Sequence, residues 1–124
     1  MTESAQQKSH FERLGGMPAL RAIVTRFYEK ARTAPGLARF FAGREMQRLI
    51  DHQTHFVASL LGGPGAHTDA MIRDAHAGLG IGEPDFAMML LMLREALEEA
   101  GLGASDVGLV VSEMRKRADL VIEH

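Results

Sequence analysis

Cysteine and tryptophan are both missing from the 124 residues, and tyrosine occurs once. Without cysteine the chain has no disulfides, no thiolate metal site and no cysteine nucleophile. Absence of disulfides suits a reducing compartment, and a cytoplasmic location is the expectation. The polar start, Met1-Thr2-Glu3-Ser4-Ala5-Gln6-Gln7-Lys8, lacks the apolar core of a signal peptide, so export by the usual route is not expected. No hydrophobic run is long: the longest, residues 86–93, falls far short of the ~20 residues that span a bilayer. Charge of one sign is also scarce, with a net value of −2 and Arg115-Lys116-Arg117 as the one dense basic stretch, which argues against nucleic-acid binding. What is present is a 46% hydrophobic fraction, enough for the core of one domain.

The apolar residues recur at helical spacing and almost nowhere alternate. Residues 17–33 place Leu20, Ile23, Val24, Phe27 and Ala31 on one face, with Pro18 in the opening turn. A break at Thr33-Ala34-Pro35-Gly36 leads through Phe40-Phe41 to a second long helix over about 44–61, stopped by Gly62-Gly63-Pro64-Gly65. A brief helix follows Thr68-Asp69 and runs to His76. Pro84 opens a strongly apolar helix to about residue 100, with Phe86, Met89, Leu90, Leu93 and Leu97 as its buried stripe. Ser105 or Asp106 is expected to cap a final helix carrying Val107, Val110, Val111, Met114 and Val121. The spacing therefore predicts an all-α domain of four long helices and two short ones. The eight methionines, including Met88, Met89 and Met92, read as adaptable core filler.

His76 stands where a helix breaks into Gly78-Leu79-Gly80-Ile81-Gly82, so its imidazole can reach a metal or a flat ligand, or simply answer the negative end of the helix dipole. Phe27-Tyr28, Phe40-Phe41 and the face Leu49, His52, Gln53, Phe56 can build an apolar cavity opposite it. Tyr28 on that apolar surface needs a partner for its hydroxyl; with Gln53 it would form a polar island.

The ordered series Phe11-Glu12-Arg13-Leu14-Gly15-Gly16, Phe27-Tyr28, Phe40-Phe41, Leu49 to Phe56, Leu60-Leu61-Gly62-Gly63-Pro64 and Ile72-Arg73-Asp74-Ala75-His76 resembles the group I truncated haemoglobins. These are small globins with a two-over-two helical sandwich around haem. The resemblance covers residues 11 to about 123, leaving residues 1–10 as an N-terminal extension and 11–124 as one globin-like domain.

The resemblance implies a non-covalent haem b with His76 as proximal iron ligand, its second ring nitrogen bonded to a backbone carbonyl. Phe41 matches the phenylalanine that stacks on the porphyrin, and Tyr28 and Gln53 match the pair that stabilises bound gas. Leu49 occupies a position that is polar or apolar among relatives. Ile81, Phe86 and Met89 line the apolar side, and Arg73 either reaches a propionate or is solvated. In cyanobacterial members, a histidine followed by glutamine, here His52-Gln53, swings in to ligate the iron; alternatively His52 stays at the rim. Those members also attach haem through a histidine of the last helix, where Arg115 stands here, so no covalent link is expected. His10, His67 and His124 are expected to stand apart from the site.

The implied function is reversible binding of dioxygen and of other diatomic gases, carbon monoxide and nitric oxide among them, serving oxygen transport or nitric oxide detoxification. Turnover as a nitric oxide dioxygenase would require a reductase that the chain does not identify. The alternatives are a haem-based gas sensor, an electron-transfer protein with bis-histidine iron, and, from a different class, a non-haem helical interaction module. A di-iron bundle is disfavoured, because inward Glu-x-x-His repeats are lacking.

Overall fold

A computed structural model describes residues 9–65 and 67–123. Most of the expected N-terminal extension, and His124, lie outside the described residues.

The first element is one the periodicity did not predict. Helix α1 (His10–Leu14) exists because Ser9 Oγ accepts the Glu12 N–H at 3.1 Å while Glu12 Oε1 accepts the Ser9 N–H at 3.0 Å. It stops at Gly15, whose φ of 115° is open to glycine and whose added Cβ would sit 2.9 Å from Ala19 Cβ. Helix α2 (Gly16–Ala31) starts at once, so Pro18 is its third residue, still in the turn whose N–H groups lack intrahelical acceptors. Its buried face is Leu20, Ile23, Val24, Phe27, Tyr28 and Ala31, the spacing read from the sequence.

A 3-10 turn (Ala38–Phe40) leads to α3 (Met46–Leu60). That helix begins later than expected, because the Glu45 carboxylate caps it by accepting the N–H groups of Gln47 and Arg48 at 3.3 and 3.2 Å. Gly62, at φ 88°, closes it, with Gly63 N–H donating to Ala58 O at 2.8 Å. Thr68 caps α4 (Asp69–His76). Helix α5 (Glu83–Glu99) carries Pro84 in its first turn, and Asp85 returns to the Gly82 N–H at 3.0 Å.

The C-terminal end departs most from expectation. Helix α6 (Ala104–Lys116) is capped by Gly103 rather than by Ser105 or Asp106, since the Asp106 carboxylate is taken by His10 and Arg13 of α1. The single last helix expected to reach Val121 breaks at Arg117, whose guanidinium turns back to Glu113 O at 2.8 Å, and resumes as the short α7 (Ala118–Val121).

Helix α2 packs against α3 and α5, and α6 against α5 and α3, giving two layers of two helices. Leu20, Val24, Val57, Leu97 and Val110 are fully covered at the centre, each side chain contributing about 1.5–3 kcal/mol by burial. Lys30 bonds Glu99 at 2.8 Å, fastening α2 to α5. Met88 is not core filler: it is 45% exposed on the outer side of α5, while Met89 and Met92 are half-buried. Among the described residues no helix is long and apolar enough to cross a membrane.

Candidate functional site

Where α2, α3, α4, α5 and the end of α6 converge they leave a cavity of about 430 Å³, within the range of sites for cofactors and small molecules. Its wall is largely apolar, and the polar exceptions are few.

Tyr28 reaches the cavity from α2. Its ring is held edge-on by Phe27 at 4.9 Å and by Phe41 at 5.7 Å between centroids. Burial pushes its hydroxyl well above the ordinary phenol range, so it stays protonated and can donate. The hydroxyl forms no hydrogen bond among the described residues, and in particular none to Gln53; both groups instead line the same space. A protonated donor on a buried residue, without an internal partner and beside a cavity, is placed for a ligand atom.

Helix α3 contributes Leu49, His52, Gln53 and Phe56, the i, i+3, i+4, i+7 positions of one face. His52 is exposed at the mouth, whereas Gln53 is half-buried. His55 lies off this face, its ring bonded to Asp51 O at 2.8 Å.

Ile72, Ala75 and His76 line the cavity from α4. The His76 ring nitrogen Nδ1 lies 2.7 Å from Ile72 O. A carbonyl only accepts, so Nδ1 carries the proton and the Nε2 lone pair is left available, as a metal-ligating imidazole requires. Among the described residues no group of three or more His, Asp or Glu could hold a metal ion.

Phe41, Ile81, Phe86 and Met89 line the cavity as the sequence suggested. Arg73 does not: Ile72, Ala75 and His76 form the inward face of α4, which turns Arg73 outward into solvent. Two arginines line the cavity instead: Arg117, whose guanidinium is paired with Glu113, and Arg44, just before α3, whose guanidinium has no partner among the described residues. His67 is a second correction. It lines the cavity from the loop before α4, edge-on to Phe56 at 5.2 Å, and burial holds its pKa below the ordinary value. Its Nδ1 is buried without a partner, so a neutral ring tolerates the position better than a charged one. Neither Arg44 nor His67 carried a sequence signal, because each is brought to the cavity by a loop. His10 is far from the cavity wall, paired with Asp106.

Comparison with known proteins adds independent findings. A family model described as bacterial-like globin matches residues 9–122. The group 1 truncated haemoglobin GlbN of Mycolicibacterium paratuberculosis is 35% identical over 107 residues, covering 86% of this chain and 79% of that protein. The group 1 truncated haemoglobin of Tetrahymena pyriformis is 33% identical over 114 residues, covering 92% and 88%. The crystal structure of a Tetrahymena pyriformis truncated haemoglobin in its Fe(III) form superimposes with a TM-score of 0.80 at 28% identity, over 94% of this chain and 100% of that one.

Proposed function

The chain belongs to the bacterial-like globins, among the group 1 truncated haemoglobins, and from that premise we propose that it binds haem b non-covalently and takes up dioxygen and other diatomic gases reversibly. The observation that carries this reading is His76, whose Nδ1–H is bonded to Ile72 O while its free Nε2 borders an apolar cavity. When bound, haem would supply an iron that His76 can hold and that a diatomic gas can occupy.

The chain's own residues do the rest. His76 would hold the iron through Nε2, in the tautomer set by the Nδ1–H bond to Ile72 O. The Tyr28 hydroxyl, unpaired and protonated, donates to the gas, with the Gln53 amide beside it as a second donor. Phe41, Ile81, Phe86 and Met89 keep water from the pocket. Arg44 would pair with a propionate, because a planar guanidinium at the cavity edge suits a carboxylate. Non-covalent attachment is supported by the lack of cysteine and by Arg115, paired with Glu83 at 3.1 Å, which the resemblance puts where covalently linked members carry a histidine.

Titrating the purified protein with haemin tests this. A stoichiometric Soret band is expected, shifting on reduction and again on carbon monoxide, and extraction into acidic butanone should release all of the haem. A protein that never develops the band is not a haem protein.

A second reading rests on His52 lining the cavity mouth. If its imidazole closes onto the iron opposite His76, the gas-free protein is six-coordinate and low-spin in both oxidation states. His52→Leu should then shift the ferric spectrum to high-spin and speed carbon monoxide binding. A wild-type ferrous protein already five-coordinate and high-spin would place His52 at the rim.

A further inference from the structure

Helix α4 is the most lightly held wall of the cavity: Ile72 is its one buried residue, and its principal helical neighbour is the short α7. What fixes the helix at its far end is the loop just after His76. Gly78 and Gly80 both take positive φ, 79° and 71°, which glycine adopts freely and which turns their two N–H groups toward one point. A single carboxylate occupies that point. Gly78 N–H donates to Glu123 Oε2 at 2.9 Å and Gly80 N–H to Glu123 Oε1 at 2.6 Å. The same residue's N–H donates to Ile81 O at 2.8 Å, and the adjacent Ile122 is buried. These two N–H donors hold the Glu123 carboxyl below its usual range, so the clasp is a charged one at neutral pH.

His76 is thus held from both sides, by α4 before it and by the clasped loop after it, with Leu79 N–H returning to His76 O at 3.3 Å. Glu123 itself does not line the cavity. We propose that Glu123 is a positioning residue for His76: by gripping the Gly78–Gly80 loop it fixes the height and tilt of the imidazole, and so sets the strength of the axial bond without touching the cofactor. This rests on the reading of His76 as the proximal ligand. It assigns to the C-terminal tail a task that the resemblance to other globins did not suggest.

The test uses full-length ferrous holoprotein and resonance Raman scattering recorded immediately after photolysis of carbon monoxide, when the iron–histidine stretch is visible whatever occupies the opposite face. Glu123→Ala should shift or broaden that stretch and speed haem transfer to an excess of a scavenging apoglobin by about tenfold, the scale of one charge-assisted hydrogen bond. Glu123→Gln, which keeps one acceptor oxygen, should fall between Glu123→Ala and wild type, and it carries the test alone if the alanine variant does not fold. Glu95→Gln, an exposed carboxylate elsewhere on the surface, should match wild type. The C–O stretch, which reports on Tyr28 and Gln53, should not move. An iron–histidine stretch unchanged in both Glu123 variants overturns the proposal, because a merely structural role would lower thermal stability and leave the mode in place. Absence of any such mode from the wild type overturns the assignment of His76 as well, so the two failures are distinguishable.

Discussion

Haem should dissociate from the His76→Ala protein during purification, or remain in a form whose ferrous spectrum free imidazole restores. The expectation follows from the donor inventory: of the described histidines that border the cavity, His52 is exposed at the mouth and His67 is wedged edge-on against Phe56, while His76 alone has its second nitrogen committed to a carbonyl. Removing the axial ligand leaves only apolar contact and a propionate pairing to hold the macrocycle, so retention should fall by orders of magnitude rather than by a small factor. His10→Ala and His55→Ala, whose rings are bonded to Asp106 and to Asp51 O, should leave the absorption spectrum alone. His67→Ala is no longer a neutral control and should perturb the pocket. An unaltered ferrous spectrum in the His76 variant would remove this residue from the iron.

The second large effect belongs to Tyr28. A hydrogen bond to a partly charged acceptor contributes about 1.5–3 kcal/mol, and each 1.4 kcal/mol is tenfold, so Tyr28→Phe should speed dioxygen release roughly ten- to a hundredfold. Gln53→Leu should do less, since the phenol donor remains. The pH dependence has a definite sign. Burial disfavours the phenolate and raises the pKa, so the donating form persists as pH rises past the ordinary phenol value of about 10. Dioxygen release from the wild type should therefore stay flat between neutral pH and that value, as read by stopped-flow displacement with carbon monoxide. An off-rate unchanged by Tyr28→Phe would mean that the hydroxyl points away from the gas.

The helical architecture was legible because burial is periodic: the face Leu20, Ile23, Val24, Phe27, Ala31 and the face Leu49, His52, Gln53, Phe56 each occupy one side of a helix, as their spacing demanded. Helix ends were less legible where a cap answers to tertiary structure. Asp106 looked like a cap, yet its carboxylate is bound by residues of α1 remote in sequence, and Gly103 took its place. The same limit applies to the site. His76 stood out because a helix end beside glycines is a local feature. Arg44, His67 and Glu123 could not stand out, since a loop or a chain terminus brings each to its place through contacts that no local pattern encodes. Arg73, left between a propionate and solvent by its position one turn before His76, stands exposed outside the inward run of Ile72, Ala75 and His76, which is the solvated of its two readings.

The two edge-on contacts that Phe27 and Phe41 make with Tyr28 carry a consequence for selectivity. A ring gripped on two sides has already surrendered its rotational entropy when the protein folds, so no further ordering is required when a gas enters. The donor is preorganised, and what it returns depends only on how much negative charge the incoming molecule accepts. If haem is bound as proposed, dioxygen, which draws negative charge from a ferrous iron, would gain from this donor, and carbon monoxide, which draws little, would gain almost nothing. On this reading the pocket sorts diatomic molecules of nearly equal size by their electron demand, with aromatic packing, rather than steric exclusion, as the source of the discrimination.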